Sequence, residues 1–440
     1  GGKMEVPSVG ILMMENLGKE DEEFWSSGMT ADLITKVAGA GLIRVAPLKD
    51  VRNIDANLSI NEIAKKLRVK YILTHQFLIK DDGFDLWCKL ENIENGVALF
   101  SNKISEPMSM TTQMVGKLAN DIITSLKIET KQDMMKAPTA NAEAYELYLK
   151  GKFNYDKYIK ELNLQSLENA QRLVQKAIEI DDNLLIAKIL LGRIFWYGYE
   201  TNTHLQKKAR AIFEEVLEQA TKNDDKFWVG RALRNIGITF YSSDKDKGFE
   251  YYISSLDIYE EIGDKVGMGH SLNNLGLYFE FKREYDKALD YNLRSLKIRE
   301  EIGDVRGVGN SLSNVGIIYK EKGHYIKALD YYYQSIIIKK EIGDKRGVGY
   351  SYSRIGGVYF DTGDYNNSLD NFLKSLEIRE EINDKLGMGF VLYGIGYIYM
   401  QQGKFSKAKE YLEKSLSVEK EAGYREITFG VTTFLYLTYK

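Results

Sequence analysis

The sequence predicts two fold classes in one chain: an α/β amino-terminal domain with a mostly antiparallel sheet, then an all-α array of helix pairs. Three observations carry this. From about residue 263 the chain restates itself every 40 residues, in four copies that begin EIGDKVGMGHSLNNLG, EIGDVRGVGNSLSNVG, EIGDKRGVGYSYSRIG and EINDKLGMGFVLYGIG. All four prolines, Pro7, Pro47, Pro107 and Pro138, lie in the first third, and the remaining 302 residues have none. Between them, KYILTHQFLIK, GFDLWCKLEN and GVALFSNKIS alternate apolar and polar residues, with Asp82-Gly83 and Asn95-Gly96 expected at the hairpin turns.

The first 130 residues read in order as βαβαβββα. SVGILMM is a short apolar run bounded by polar residues, the pattern of a buried strand. EEFWSSGMTADLITKVAGA has helical periodicity, and LIRVAP is a second short strand. SINEIAKKLR places Ser59 three residues before Glu62, the spacing at which each side chain reaches the other's backbone amide to cap a helix. After the three alternating strands, a last helix is expected from about Pro107 to Leu126.

Each 40-residue copy holds two stretches with apolar residues at i, i+3, i+4 and i+7, hence an antiparallel helix pair. Gly263, Gly303 and Gly343 follow the second helix, where the chain enters the left-handed conformation that ends a helix. Position 383 is Asn, the next residue type able to do so. Asp264, Asp304, Asp344 and Asp384 come next as N-caps. Gly323, Gly363 and Gly403 mark the turn inside the pair, with Arg283 the exception. A pair this short cannot bury its apolar face alone, so stacked neighbours supply the core.

The string Leu275-Gly276, Tyr319, Gly323, Tyr325, Ala328, Tyr332, Ser335 resembles the tetratricopeptide pattern, in a 40-residue variant with Gly-Asp where proline usually follows the second helix. The resemblance implies a right-handed tetratricopeptide superhelix. Degenerate copies around Gly237 and Gly248, Gly192 and Gly151 extend it upstream to about seven helix pairs over roughly 140–422, and 426–440 reads as a closing helix. The segments VGILMMENLGKEDEEFWSSGMTADLITKV, INEIAKKLRVKYILTHQFLIKDDGFDLWCKLENIENGVALF and VGKLANDIITSL resemble the TolB amino-terminal type of domain. Such domains occur in envelope proteins and between class III nucleotide cyclases and tetratricopeptide repeats. The expected division is 1–130 for this domain, 131–141 for a linker and 142–440 for the solenoid.

Composition removes several function classes. Lys plus Arg is 60 and Asp plus Glu is 63, a net charge of −3, which argues against a phosphate-neutralising nucleic-acid binder. No apolar run approaches the ~20 residues of a membrane span, so a soluble chain is expected. One cysteine, Cys88, permits no intramolecular disulfide, and histidines at 75, 204, 270 and 324 have no zinc-site spacing. No metal and no cofactor are expected. The repeated G-x-G at 267/269, 307/309, 347/349 and 387/389 follows no strand and lacks the rest of a phosphate loop, so close helix packing explains it better. Paired carboxylates such as Glu260-Glu261 and Glu300-Glu301 recur at helix ends as solvated decoration, and Cys88 has no base beside it. No catalytic residue is assigned, and the chain is read as a non-enzyme.

One constellation stands out. Asn235, Asn274 and Asn314 occupy the same place in successive first helices, two residues before the signature glycine, or its Gly237 and Gly316 counterparts, and Arg354 and Gly394 continue the row. In tetratricopeptide solenoids this row lines the concave surface, where amides can pair with an extended peptide; the plainer alternative is bonding between helices. Arg231, Arg234, His270, Asn273, Asn310, Ser313, Tyr350 and Ser353 flank it, and Phe390, Tyr393 and Tyr397 make its carboxyl end aromatic. A groove of this kind suits an acidic, partly apolar peptide, although the aromatic cluster can equally pack under the closing helix.

The expected role is therefore a non-catalytic module that binds a protein or peptide in the groove, or self-associates. The resemblance implies a bacterial signalling protein, cytoplasmic, with a class III cyclase ahead of residue 3; the opening Gly-Gly-Lys reads as a cleavage scar. The alternatives are an envelope-associated, periplasmic scaffold and a stand-alone cytoplasmic adaptor.

Overall fold

The computed structural model describes residues 6–41, 43–55, 57–81, 83–130, 133–161, 163–197, 203–241 and 243–422. Two compact units result. One comprises the described residues up to Tyr278 together with Lys297–Asp304, the other Phe279–Leu296 together with the described residues from Val305 on.

The first unit opens on a six-stranded sheet built from β1 (Ser8–Ile11), β2 (Glu15–Asn16), β3 (Arg44–Val45), β4 (Tyr71–Lys80), β5 (Gly83–Asn92) and β6 (Val97–Pro107). Its order is β3-β1-β4-β5-β6, with β2 also on β4. The long strands β4, β5 and β6 pair antiparallel, as the alternation predicts. The short strands β1, β2 and β3 join in parallel, so the sheet is mixed. Parallel pairing follows from α1 (Glu23–Ala38), which carries the chain from β1 and β2 back to β3, because a helical crossover returns the next strand in the same direction.

Strand alternation divides the core in two. Leu73, Phe77, Phe84, Leu86 and Leu90 point to one face, against Trp25, Met29 and Leu33 of α1 and Met114, Leu118 and Ile122 of α4 (Thr111–Ser125). Ile72 points to the other, where α2 (Leu48–Arg52) and α3 (Ile60–Leu67) bring Val51, Ile63 and Leu67. The capping box is formed: Ser59 Oγ accepts the Glu62 amide at 3.4 Å, and the Glu62 carboxylate accepts the Ser59 amide at 2.8 Å. The first hairpin turn lies one residue earlier than expected. Gly83 already pairs with Lys80, and Asp81 takes the left-handed conformation at φ 51°. The register that seats both Phe77 and Phe84 in the core fixes this position. The second turn spans residues 93–96 between Asn92 and Val97, longer than a two-residue Asn-Gly turn, and only Gly96 in it is left-handed, at φ 68°.

Fourteen helices follow among the described residues: α5 (Ala142–Glu161), α6 (Leu164–Ile180), α7 (Leu185–Tyr197), α8 (Thr203–Lys222), α9 (Lys226–Thr239), α10 (Lys245–Ile262), α11 (Lys265–Phe281), α12 (Tyr285–Ile302), α13 (Val305–Glu321), α14 (Tyr325–Glu341), α15 (Lys345–Asp361), α16 (Tyr365–Glu381), α17 (Lys385–Gln401) and α18 (Phe405–Ala422). They follow one another in tandem, as the helix pairs of the repeat predict. The expected closing helix at 426–440 lies outside the described residues.

Helix ends follow the sequence closely. Gly263, Gly303, Gly343 and Asn383 are all left-handed, with φ between 52° and 75°, as are Gly323, Gly363, Gly403 and the exceptional Arg283 at 59°. Asp264, Asp344 and Asp384 accept the amides of Gly267, Gly347 and Gly387. The G-x-G pairs have a packing role. A Cβ on Gly387 would collide with the Arg379 guanidinium of the preceding helix, and the second glycines offer carbonyls to buried serines: Ser335 to Gly309, Ser375 to Gly349 and Ser415 to Gly389.

In the first unit, α1 and α5 share a buried polar knot. The Asp32 carboxylate accepts from Tyr145 Oη at 2.8 Å, Tyr148 Oη at 3.3 Å and Lys152 Nζ at 2.7 Å, beneath the Trp25–Tyr145 ring contact. Burial, and then the negative charge of Asp32, push both phenols well above their ordinary range.

Candidate functional site

In the first unit the residues singled out by sequence sit on α9 and α11. Asn235 is only 4% exposed, and its amide donates to the Arg231 carbonyl one turn back at 2.7 Å. That amide is spent within its own helix. Asn274 differs: its Nδ2 is buried with no hydrogen-bond partner, and the residue lines a cavity with Gly237, Tyr241, Lys245, Gly248, Tyr252, Leu277 and Tyr278. Asn273 is half-buried beside it on the same helix.

Arg231 lies over the rings of Phe227 and Trp228, 5.0 and 5.4 Å from their centroids. Desolvation, then the repulsion of Arg234 and Arg193, outweighs Tyr259 and Asp264 and lowers its pKa. Arg234 bonds to the Tyr259 phenol, yet its Nε is buried without a partner. His270 is solvent-exposed at its edge but crowded by protein atoms. That crowding, followed by the charges of Arg234, Arg299, Arg231 and Arg193, holds its imidazole well below its ordinary pKa.

Two members of this group were not legible as site residues. Arg193 on α7 sits in a degenerate copy, immediately after Gly192, and only the repeat alignment puts it on the same helix face. Arg299 on α12 is 5% exposed, reaching the Gly269 carbonyl at 3.3 Å and Asp304 at 3.8 Å. Its signal was the recurrence of a cation at 299, 339 and 379, inside a helix stretch that reads as a solvated face.

In the second unit Asn314 is half-buried on α13, next to the buried Ser313. Arg354 on α15 donates to the Tyr350 phenol and stacks on its ring, 4.6 Å from the centroid. On α17 Tyr393 and Tyr397 stack with centroids 6.4 Å apart, and Tyr397 lies 5.3 Å from Phe360, while Phe390 is exposed. Burial, with Tyr397 nearby, raises the Tyr393 pKa. Tyr350 with Arg354 and Tyr393 with Tyr397 are thus real pairs; the closing helix expected over the aromatic cluster lies outside the described residues.

No group of three or more His, Cys, Asp or Glu with metal-binding geometry occurs among the described residues. The Cys88 thiol is buried, pushed up to about 11 by desolvation, and directed at the Asn102 carbonyl at 3.6 Å, a packed thiol rather than a nucleophile. No helix among the described residues is long and apolar enough to cross a membrane.

Among curated proteins none matches the chain. Of solved structures, the chain is similar to a signal transduction ATPase with numerous domains and a tetratricopeptide repeat sensor from Pyrococcus horikoshii. The identity is 18% and the TM-score 0.52, over 74% of this chain and 49% of that one, so the match spans about half of that protein. It is also similar to BtubC from P. vanneervenii (19% identity, TM-score 0.44, 50% and 93% covered). A third is a Rap protein complexed with competence and sporulation factor (12%, 0.48, 75% and 92%). The tetratricopeptide repeat family profile matches residues 243–301, 282–341 and 348–421. The carboxyl-terminal part of the chain therefore carries tetratricopeptide repeats.

Proposed function

We propose that the chain is a non-catalytic regulatory module that binds a protein or peptide on the face lined by the first helices of its repeats. The observation that carries this is the Asn274 amide: a buried donor with no acceptor, beside a cavity walled by Tyr241, Lys245, Tyr252 and Tyr278. A buried amide left unpaired costs about 1–3 kcal/mol, which a backbone carbonyl of a bound peptide would relieve. Asn314 holds the same repeat position in the second unit, which also carries Arg354, Tyr350, Tyr393 and Tyr397. Stacked helix repeats present surfaces well suited to extended ligands.

The test is affinity capture by the whole chain, identification and resynthesis of the bound peptide, and measurement of its Kd. Replacing Asn274 and Asn314 with Ala should weaken that peptide at least tenfold while far-UV circular dichroism stays the same. Equal affinity for the double variant would overturn the reading.

The finer part of the proposal is that the first domain is of the TolB amino-terminal type and the chain belongs to a bacterial signalling protein with a class III nucleotide cyclase. Its support is the resemblance of residues 9–37, 60–100 and 115–126 together with the repeats that follow. Reading the gene upstream decides it: a cyclase domain supports the proposal, and a signal peptide favours an envelope scaffold.

A further inference from the structure

We propose that the cavity beside Asn274 is a socket for one aromatic side chain of the bound peptide, left open where Lys245 replaces the ring that this chain's other repeats supply themselves. The inference rests on the peptide-binding reading and names the residue type that anchors the ligand.

The second helices α12, α14, α16 and α18 begin with Tyr285, Tyr325, Tyr365 and Phe405, whereas α10, in the same register, begins with Lys245. In the repeat of α14 the half-buried Tyr325 packs against the cluster of Ile317, Ala328 and Val358, so a ring fills the space between the helix pair and the next first helix. Val358 is the counterpart of Tyr278. At α10 the chain supplies no such ring. Lys245 Nζ stands instead over the Tyr241 ring, 5.0 Å from its centroid, and a cavity remains between Tyr241, Tyr252, Asn274 and Tyr278.

Its walls are fixed. Tyr278 stacks on Phe249 with centroids 4.5 Å apart, and its hydroxyl donates to Asp246 at 2.6 Å. Tyr252 is buried and Tyr241 exposed, so the cavity opens on the Tyr241 side. Three tyrosine rings suit a fourth ring, which gains from offset or edge-on contact beyond its buried area. The cavity measures about 330 Å³ with its open mouth, at the small end of the roughly 300–1,000 Å³ of small-molecule sites, so one side chain suits it better than a whole free ligand. The Asn274 Nδ2, buried with no acceptor, then meets the carbonyl of the same ligand residue. A ring seated in a pocket beside a relieved donor is the kind of contact that dominates an interface.

The experiment uses the whole chain and N-acetyl-4-fluorophenylalaninamide at millimolar concentration, read by fluorine NMR line width, with N-acetylleucinamide as the aliphatic competitor. The fluorinated probe should bind, and the leucine amide at equal concentration should not displace it. Lys245→Tyr restores the ring of the other repeats and should weaken the probe by about tenfold or more while raising the melting temperature. Leu277→Phe fills the socket from another wall and should weaken the probe likewise. Lys245→Ala leaves the socket open and should weaken it by no more than about threefold. Circular dichroism of each variant checks that the fold persists. No binding of the probe, its displacement by the leucine amide, undiminished binding to the two filled variants, or equal weakening by Lys245→Tyr and Lys245→Ala overturns the inference. A captured natural peptide that needs Asn274 and Asn314 yet binds Lys245→Tyr as tightly as the parent chain sinks this inference alone. A probe blocked by Lys245→Tyr, alongside a captured peptide indifferent to the asparagine variants, sinks the peptide reading and makes a free aromatic compound the ligand of the socket.

Discussion

The ammonium of Lys339 is held by two hydroxyls rather than a carboxylate: its Nζ donates to Ser313 Oγ at 2.8 Å and to Ser351 Oγ at 3.2 Å. The side chain is 2% exposed, and burial brings its pKa down to about 8, with Asp344 opposing and Arg306 assisting the shift. At the equivalent position Arg379 instead reaches Asp384 at 2.5 Å. Substitution of Lys for Arg at one step of the column thus changes a buried ion pair into a solvated-looking but buried cation.

The pH dependence of this site has a definite sign. Between about 8 and the ordinary 10.5 the unfolded chain binds the proton more tightly than the folded one, so stability rises with pH across that window, and the full cost of burying the charge is present below it. Lys339→Met should therefore raise stability at pH 7, by about 1–3 kcal/mol, and the gain should shrink toward pH 10.5. Urea midpoints of both proteins at pH 7 and pH 10 measure it; a pH-independent difference refutes the account.

His75 behaves in the same direction at lower pH. Its Nε2 lies 2.6 Å from the Leu12 carbonyl, its Nδ1 is buried without a partner, and burial lowers the pKa to about 4. Above the unfolded value of 6.5 the group is neutral in both states and costs nothing. As pH falls from 6.5 to 4 only the unfolded chain takes the proton, removing up to about 3 kcal/mol of stability. His75→Gln should flatten this acid limb in a series of thermal melts, whatever it does to stability at pH 7.

Helix ends offer a milder test. Arg283 is the one non-glycine among the turns within the four 40-residue repeats, at φ 59°, where a Cβ is strained. Arg283→Gly should stabilise by up to about 1 kcal/mol, and Gly323→Arg should cost a similar amount. Melting temperatures that move the other way would show that side-chain contacts outweigh the backbone.

Close packing sets the last prediction. The added methyl of Gly387→Ala would meet the Arg379 guanidinium and the Asp384 carboxylate, so the buried ion pair must shift. The cost should be about 1–3 kcal/mol, against less than 1 kcal/mol for Gly357→Ala, where nothing lies within 4 Å. Comparing the two variants in urea decides it.

The repeat was legible because its cues are local. A left-handed residue, a capping aspartate and a 3.6-residue period are each decided by a few neighbours, and Gly263, Asp264 and Asn383 behave as their types dictate. The parallel pairing of β1 with β4 was not legible, because partner choice between Val9 and Tyr71 depends on the whole crossover rather than on either strand. The first turn slipped by one residue because core seating of Phe77 and Phe84 outweighs the preference of Asp82-Gly83. The members of the asparagine row, alike in the sequence, differ in the structure: Asn235 closes on its own helix while Asn274 stays unpaired. Arg193 and Arg299 were missed because charge on a helix reads as solvent-facing until the neighbouring helices are in place.

The serine bonds carry one more consequence. Ser335 to Gly309, Ser375 to Gly349 and Ser415 to Gly389 each span 26 residues, and each recurs at an interval of 40. Every such bond closes inside one repeat, so a whole repeat can be gained or lost by recombination with no buried hydroxyl stranded. The length of this part of the protein is thereby free to evolve in steps of one repeat, while insertion of a few residues within a repeat breaks the pairing at once.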